Sequence, residues 1–442
     1  MTVLSGWGRY PRFPTQVVEP IDYRAARLLT PLHAGLIARG AGRAYGDAAI
    51  GEQVTLSTAQ FDRIRSFDAR TGLMRAEAGV VLADIIDVAM ARGHFPPVVP
   101  GTQFVTVGGM IAADVHGKNH HRDGGFGDHV EEITLLLPDG STVHCTAHQN
   151  AGLLAATIGG MGLTGTILDA TFRLRPIECG WMRQMTLVAP NVGAALDMLH
   201  QHRDASYSVA WIDCLARGPA LGRSLIFTAE HASRGEVQAL GLDPFPARAR
   251  ARLSLPIDCP QMLLSRVSVA LFNEVYFRVG AGKAGVPQMV PWESYFFPLD
   301  GIGMWNRIYG REGFLQYQCV VPPSAARETL SGVLDRLSRF GSASFLSVLK
   351  QLGAAHGDLS FPMDGYTLAL DLPLRNGVFE LLDELDKLVV AAGGRLYLAK
   401  DARQSRMTFE RTYPGLEHFR ALRRTIPGSE RVGSRLSLRL GI

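Results

Sequence analysis

The stretch Val98–His121, VVPGTQFVTVGGMIAADVHGKNHH, decides how this chain is read. Its VVPG opening is rigid and extended, and the paired Gly108 and Gly109 form a glycine turn ahead of a short helix-like run. The surroundings are of the same kind. From Gly35 to Pro176 glycines punctuate short β-branched runs. LIARG enters the loop AGRAYGD as a strand, and RIRSFDARTGLMRAEAG reads as a hairpin turned at Arg70–Gly72. VLADIIDVAMARG has helical apolar spacing and stops at Gly93. EITLLLPDGSTVHC is a second hairpin, with Asp139-Gly140 in its turn, and GTILDATFRLRP closes the region as a strand.

Composition narrows the choices. At 442 residues the chain exceeds what one core supports, so about two domains are expected, with three as the alternative. Hydrophobic residues make up 47% and charged residues 19%, which excludes a disordered chain. The 45 Lys+Arg against 41 Asp+Glu leave +4, too little to argue for a nucleic-acid partner. The longest greasy stretch, Met262 to Phe277, is broken by Arg266, Asn273 and Glu274, so no bilayer span is expected. No basic segment precedes an apolar core at the N-terminus, so no secretory signal is expected either. The scattered cysteines 145, 179, 214, 259 and 319 suit a reducing compartment better than a disulfide framework.

Past Pro176 helices lengthen and glycines thin out. LQYQCVVP, SAARETLSGVLDRLSRF, FLSVLKQLG, YTLALDLPL, GVFELLDELDKLVVAAG and RLYLAK read strand, helix, strand, strand, helix, strand. That order is ferredoxin-like, with both helices on one face of an antiparallel sheet. The fold class is therefore α+β, with a glycine-rich first domain and a second antiparallel one. Residues 240–290 mix basic and aliphatic residues with weak periodicity. They read as a long mobile excursion, a substrate lid or a membrane-facing flap, against the plainer alternative of a surface insertion. No internal repeat is evident beyond the halves of the ferredoxin-like unit.

Three glycine clusters suggest where chemistry sits: Gly40/Gly42/Gly46, Gly101 with Gly108/Gly109, and Gly159/Gly160/Gly162/Gly165. Glycines bring backbone N–H groups close to an anion, as a diphosphate requires. GMGLTG matches the dinucleotide fingerprint, but a strand comes after it where that fingerprint demands a helix, which argues against a Rossmann enzyme. His116, His120, His121 and His129 crowd together without a carboxylate at the metal-ligand spacing, so no metal is expected. Lys350 and Lys400 sit in apolar strands. Each either snorkels to water or points into a cleft, where desolvation would make a base or an anion anchor.

The strings IARGAGRAYGD, VVPGTQFVTVGGMIAADVHGKNHH, IGGMGLTGTI, GFLQYQCVVP and GGRLYLAKDAR resemble flavoenzymes of the vanillyl-alcohol-oxidase (PCMH-type FAD) superfamily. Within it they are similar to the branch that oxidises decaprenylphosphoryl-β-D-ribose at C2. The resemblance implies a PCMH-type FAD-binding domain over 1–176, a substrate domain over 177–395, and a C-terminal segment, 396–442, returning to the first. FAD contacts are implied for Ala38, Arg39, Gly40, Ala41, Gly42, Arg43, Tyr45, Gly46, Asp47, Gly101, Thr106, Val107, Gly108, Gly109, Ala113, His116, Ile167 and Tyr397. Many relatives link the flavin to a histidine directly after the second glycine of a GxGH pattern. Here that position is Arg43, so FAD is expected without a covalent bond.

The reaction implied is hydride transfer from C2 of the ribose to flavin N5 while a base takes the hydroxyl proton. Lys400 is expected as that base or as the group fixing the hydroxyl, with His116 and Tyr45 beside it. Lys118, Trp211, Gln316, Gln318 and Lys350 are implied as substrate-pocket residues. The keto sugar would pass to a separate NAD(P)H-dependent reductase that completes inversion to arabinose. The polyprenyl tail implies a peripheral membrane association for a protein otherwise expected to be cytoplasmic, with the periplasmic face as the alternative. Two departures stand out. Tyr366-Thr367-Leu368-Ala369 replaces a Trp-Asn-x-Cys found in some members, which removes a pocket thiol, and Phe296 stands where tyrosine is common. The alternative substrate class is a soluble aldonolactone, alditol or sugar.

Overall fold

The computed structural model describes residues 1–246, 253–260, 264–341, 344, 346–354 and 356–442. Its N-terminal part carries two main sheets and a two-stranded pair of His94–Phe95 with Arg175–Pro176. Thr2–Ser5, Arg12–Val18, Val54–Ser57 and Leu36–Arg39 lie side by side, the last three mutually parallel. Ile64–Asp68, Leu73–Glu77, Thr166–Arg173, Val130–Leu136 and Thr142–Thr146 form an antiparallel sheet in that order. Its hairpins turn at Gly72 (φ +76°) and Gly140 (φ +87°), a backbone region that suits glycine. Alternate residues Met74, Ala76, Ile133, Leu135, Ala170 and Phe172 are buried, and helix Leu82–Met90 covers them with Leu82, Ile85, Ile86 and Ala89. After Gly165 the chain runs straight into the Thr166–Arg173 strand, so GMGLTG opens no helix.

The second part is an eight-stranded antiparallel sheet ordered Gln288–Pro291, Trp181–Ala189, Ser224–His231, Tyr207–Ile212, Ser347–Leu352, Gly365–Pro373, Phe314–Val321, Arg395–Leu396. The last four, with helices Pro323–Phe340 and Val378–Ala391, make the ferredoxin-like unit expected from the sequence. The first four repeat the same spatial order with helices Val192–Gln201 and Arg266–Ala281. This duplication is a correction. The crossing from Ser224–His231 to Gln288–Pro291 is long and interrupted, which hides the second unit from a sequence pattern. The halves join at two residue pairs, Ala210 with Leu349 and Trp211 with Val348.

The 240–290 segment also differs from expectation. Residues 247–252, within FPARARARLSLP, and residues 261–263 lie outside the described residues. Where irregular chain is expected beyond them, a 16-residue helix starts at Ser265, whose side chain caps the Ser268 N–H. It buries only Val269 and Asn273, so no amphipathic pattern betrays it. RLYLAK likewise is a strand only at Arg395–Leu396. A turn succeeds it, with the Lys400 and Asp401 N–H groups donating to the Tyr397 carbonyl, and it carries Lys400.

The C-terminal chain packs Phe409, Tyr413, Phe419 and Leu436 against Ile37, Ala48 and Leu163. Arg439 completes the contact by donating to both oxygens of Asp47 (3.1 and 2.8 Å) and to Asp401 Oδ2 (2.8 Å). Both carboxylates are buried. Arg439→Ala strands two buried charges and is expected to cost about 3–5 kcal/mol, read as a lowered thermal unfolding midpoint.

Candidate active site

A cavity of about 540 Å³ lies between the glycine loops and the eight-stranded sheet. Ala38, Gly40, Ala41, Gly42, Arg43 and Tyr45 form one edge, and Gly101, Thr106, Gly108, Gly109, Ala113, His116, Ile167 and Tyr397 continue the same wall. Lys118, Trp211, Gln316, Gln318, Lys350 and Lys400 face it from the other side. Twenty of the sequence-derived site residues thus share one space. Four do not line it. Arg39 turns away to the carbonyls of Ser5 and Ala49. Gly46 packs on the Asp401 carbonyl, Asp47 pairs with Arg439, and Val107 is sealed in the hydrophobic core. All four support the loops from behind. The cavity also takes in Met161, from the GMGLTG stretch, and Trp7, Tyr276 and Tyr295, which carried no motif in the sequence.

Local geometry explains the glycines. A Cβ on Gly40 would sit 2.1 Å from Thr106 Oγ1, so glycine lets the first loop close onto the turn carrying Gly108 and Gly109. Gly42 has φ +65°. The backbone N–H groups of Ala41, Gly42, Arg43 and Ala44 donate to no protein group among the described residues. Such a run of free donors on a cavity wall suits a diphosphate. A Cβ on Gly101 would meet no protein atom within 4 Å, leaving room for a ligand. Nδ1 of His116 and the Tyr295 hydroxyl are buried without a partner, polar atoms that a bound ligand would satisfy. These features fit FAD. Arg43, at the position where relatives carry a flavin-linked histidine, stacks its guanidinium 4.0 Å from the Trp7 ring centroid.

The opposite wall is strongly cationic. Burial lowers Lys118 to about 7 and Lys350 to about 8. Lys118 donates to the Tyr295 carbonyl and lies over its ring. Lys400 Nζ stands 3.7 Å from the Tyr45 ring centroid. Burial pulls its ammonium below the usual lysine range, with Asp371 opposing and Lys350 reinforcing the shift. His116 is held neutral, its pKa driven well down by burial and by Lys350, His120 and Lys400. Gln318 Nε2 lies 2.9 Å from His116 Nε2 and also donates to Thr367 Oγ1. That network assigns the His116 proton to Nδ1. His120 accepts the Gly353 N–H at Nδ1 and serves the loop beside the site. Ala369 and Phe296 both line the cavity, so the two departures from the family pattern fall on its wall.

Comparison with known proteins agrees with this geometry. A family model described as an FAD binding domain matches residues 24–146. The chain is 37% identical, over 99% of its length and 97% of the relative's, to the decaprenylphosphoryl-beta-D-ribose oxidase of Mycolicibacterium smegmatis. It is 35% identical over 82% of its length to an uncharacterized Streptomyces coelicolor protein, which it covers entirely. The human delta(24)-sterol reductase is 29% identical over 26% of this chain and 22% of its own.

If the open side of Gly101 receives the cofactor, Gly101→Val should leave the far-ultraviolet circular dichroism unchanged. Flavin retention should weaken at least about tenfold, measured by absorbance after gel filtration.

Proposed function

The chain belongs to the PCMH-type FAD-dependent oxidase family that includes decaprenylphosphoryl-β-D-ribose oxidase, and we propose that it oxidises the C2 hydroxyl of a polyprenylphosphoryl-ribose to the keto sugar. It is an FAD-dependent oxidoreductase. The observation that carries the substrate reading is one cavity with unpaired backbone donors on one wall and three desolvated lysines on the other. We read residues 1–176 with 396–442 as the cofactor module and 177–395 as the substrate module.

Bound along the glycine wall, FAD supplies the hydride acceptor. The protein's own share is binding, orientation and proton handling. Ala41 to Ala44 would offer their N–H groups to its diphosphate, and Arg43, which lies over the Trp7 ring, cannot form the covalent flavin link that a histidine makes at that position. Lys400, held against Tyr45 and depressed by burial, takes the C2 hydroxyl proton on Nζ in its neutral form. His116 presents its Nδ1–H to a sugar oxygen or cofactor carbonyl, and Gln318 fixes that tautomer. Lys118 and Lys350 attract the phosphate linkage. Gln316 and Trp211 line the sugar pocket. The product, a keto sugar, needs a separate NAD(P)H-dependent reductase to complete epimerisation.

A lipid-linked substrate also suits the helix Arg266–Ala281. Val267, Leu271, Val275 and Val279 succeed one another at four-residue spacing, all more than half exposed. Tyr276 on the same helix lines the cavity and packs 4.9 Å from Trp211. Tyr276 thus brings one face of this helix to the pocket, and the neighbouring stripe offers an apolar surface that suits a prenyl chain and a peripheral membrane contact. Among the described residues no helix is long and apolar enough to cross a membrane.

Anaerobic bleaching of the flavin by decaprenylphosphoryl-ribose, and not by free ribose, aldonolactones or alditols, is the expected outcome. The reverse pattern overturns the substrate. Acid precipitation should release the flavin into the supernatant. Lys400→Ala should abolish bleaching with FAD content unchanged. Val275→Glu with Val279→Glu should reduce flotation with anionic vesicles while sparing the flavin spectrum.

A further inference from the structure

Asp114 stands two residues before His116, and its backbone is unusual for a residue with a side chain, at φ +39°. Such a conformation persists only where surrounding contacts impose it, and it concentrates at functional sites. Here the contacts fall on the buried carboxylate. Oδ1 accepts the Gly127 N–H at 3.2 Å, and Oδ2 accepts the Ser360 hydroxyl. A Cβ on Gly125 would lie 2.5 Å from Oδ1 and one on Gly127 would lie 2.9 Å from it, so two glycines leave room for the carboxylate.

Ser360 belongs to the substrate module, 246 positions further along the chain. Its carbonyl is held as well, by Arg395 Nη1 at 3.0 Å. With Ser360 fixed, the next side chain, Phe361, goes against the His116 ring, the two centroids 5.5 Å apart. Phe361 is wholly buried and does not line the cavity, so it backs the histidine from behind. Tyr397, from the returning C-terminal segment, completes the enclosure. Its ring lies 5.2 Å from His116 and stacks on Phe361 at 4.6 Å, and its hydroxyl donates to the Ala113 carbonyl at 2.8 Å. Gln318 touches only one nitrogen of the imidazole. One hydrogen bond leaves a ring free to swing about it, and the two aromatic faces remove that freedom.

We propose that Asp114 and Ser360 are positioning residues for the oxidation: their hydrogen bond joins the two modules behind the cavity and holds Phe361 against His116, which fixes the imidazole on the cavity wall. The inference rests on His116 meeting the sugar or the cofactor in the proposed reaction.

The test is a double-mutant cycle in the FAD-loaded full chain, read as the rate constant for anaerobic flavin reduction at saturating substrate. Ser360→Ala leaves Oδ2 without its donor and should lower that constant about tenfold, with substrate Kd changed less than about twofold. In a His116→Ala background the same substitution should change the rate less than about twofold, because the ring it positions is gone. Asparagine tolerates the positive φ and can accept the Gly127 N–H while donating to Ser360 Oγ. Asp114→Asn should therefore recover most of the rate that Asp114→Ala loses. Equal losses from Ser360→Ala in both backgrounds, or a loss confined to thermal midpoint and flavin content, overturn the proposal. So does an Asp114→Asn rate no better than that of Asp114→Ala. If Ser360→Ala does not fold, Phe361→Leu takes its place in the cycle with the same criteria. A wild type that does not bleach with decaprenylphosphoryl-ribose sinks the substrate reading separately, and the cycle then uses whichever sugar or lactone of the panel reduces the flavin. A crystal structure of FAD-bound Ser360→Ala reads the positioning without substrate. The Phe361 and His116 rings should be displaced from their wild-type places, and unmoved rings overturn the proposal.

Discussion

The candidate active site depends on one backbone contact: the Tyr45 N–H donates to the Ala399 carbonyl at 2.9 Å. This bond ties the first glycine loop to the turn that carries Lys400, two segments more than 350 positions apart in sequence. It forms only because Gly46 has no side chain. A Cβ there would lie 1.9 Å from the Asp401 carbonyl oxygen. Arg439 then locks both loops from behind through Asp47 and Asp401. The stacking of Lys400 on Tyr45 is thus a product of main-chain packing and a buried ion cluster outside the cavity. Residues that look like cofactor ligands in the sequence, Asp47 and Gly46, turn out to maintain this joint.

Electrostatics arise from the same enclosure. Three lysines facing one cavity repel one another, and burial makes each charge more costly still. Such an arrangement is stable in the free protein because the ammonium groups are partly discharged or held by carbonyls and aromatic faces. On the proposed function, an incoming phosphate would relieve the repulsion and make binding energy available to orient the sugar. The neutral His116 in their midst is a consequence of the same field.

Much of this could be seen in the sequence, for identifiable reasons. Hairpins with glycine turns, such as those at Gly72 and Gly140, announce themselves locally, and the half of the large sheet with short connections shows as alternating strands and amphipathic helices. The other half was hidden because helix Arg266–Ala281 buries two residues and stands after a long interruption. The glycine clusters pointed to one wall of the cavity, where Gly40, Gly42, Gly101, Gly108, Gly109, Gly162 and Gly165 lie. What no motif revealed was direction: whether Arg39 faces the cavity or the loop behind it, and that Lys400 rides on a turn.

The seam between the two ferredoxin-like units bears on how this pocket can change. Trp211 and Val348 meet there across strands, and both line the cavity, with Ala369 beside them from the second unit. The pocket floor is therefore written in two separate stretches of the gene. Drift in one unit can widen or narrow its own side while leaving the other, and the flavin loops, untouched. Such a protein can acquire a new substrate by asymmetric divergence of a duplicated scaffold.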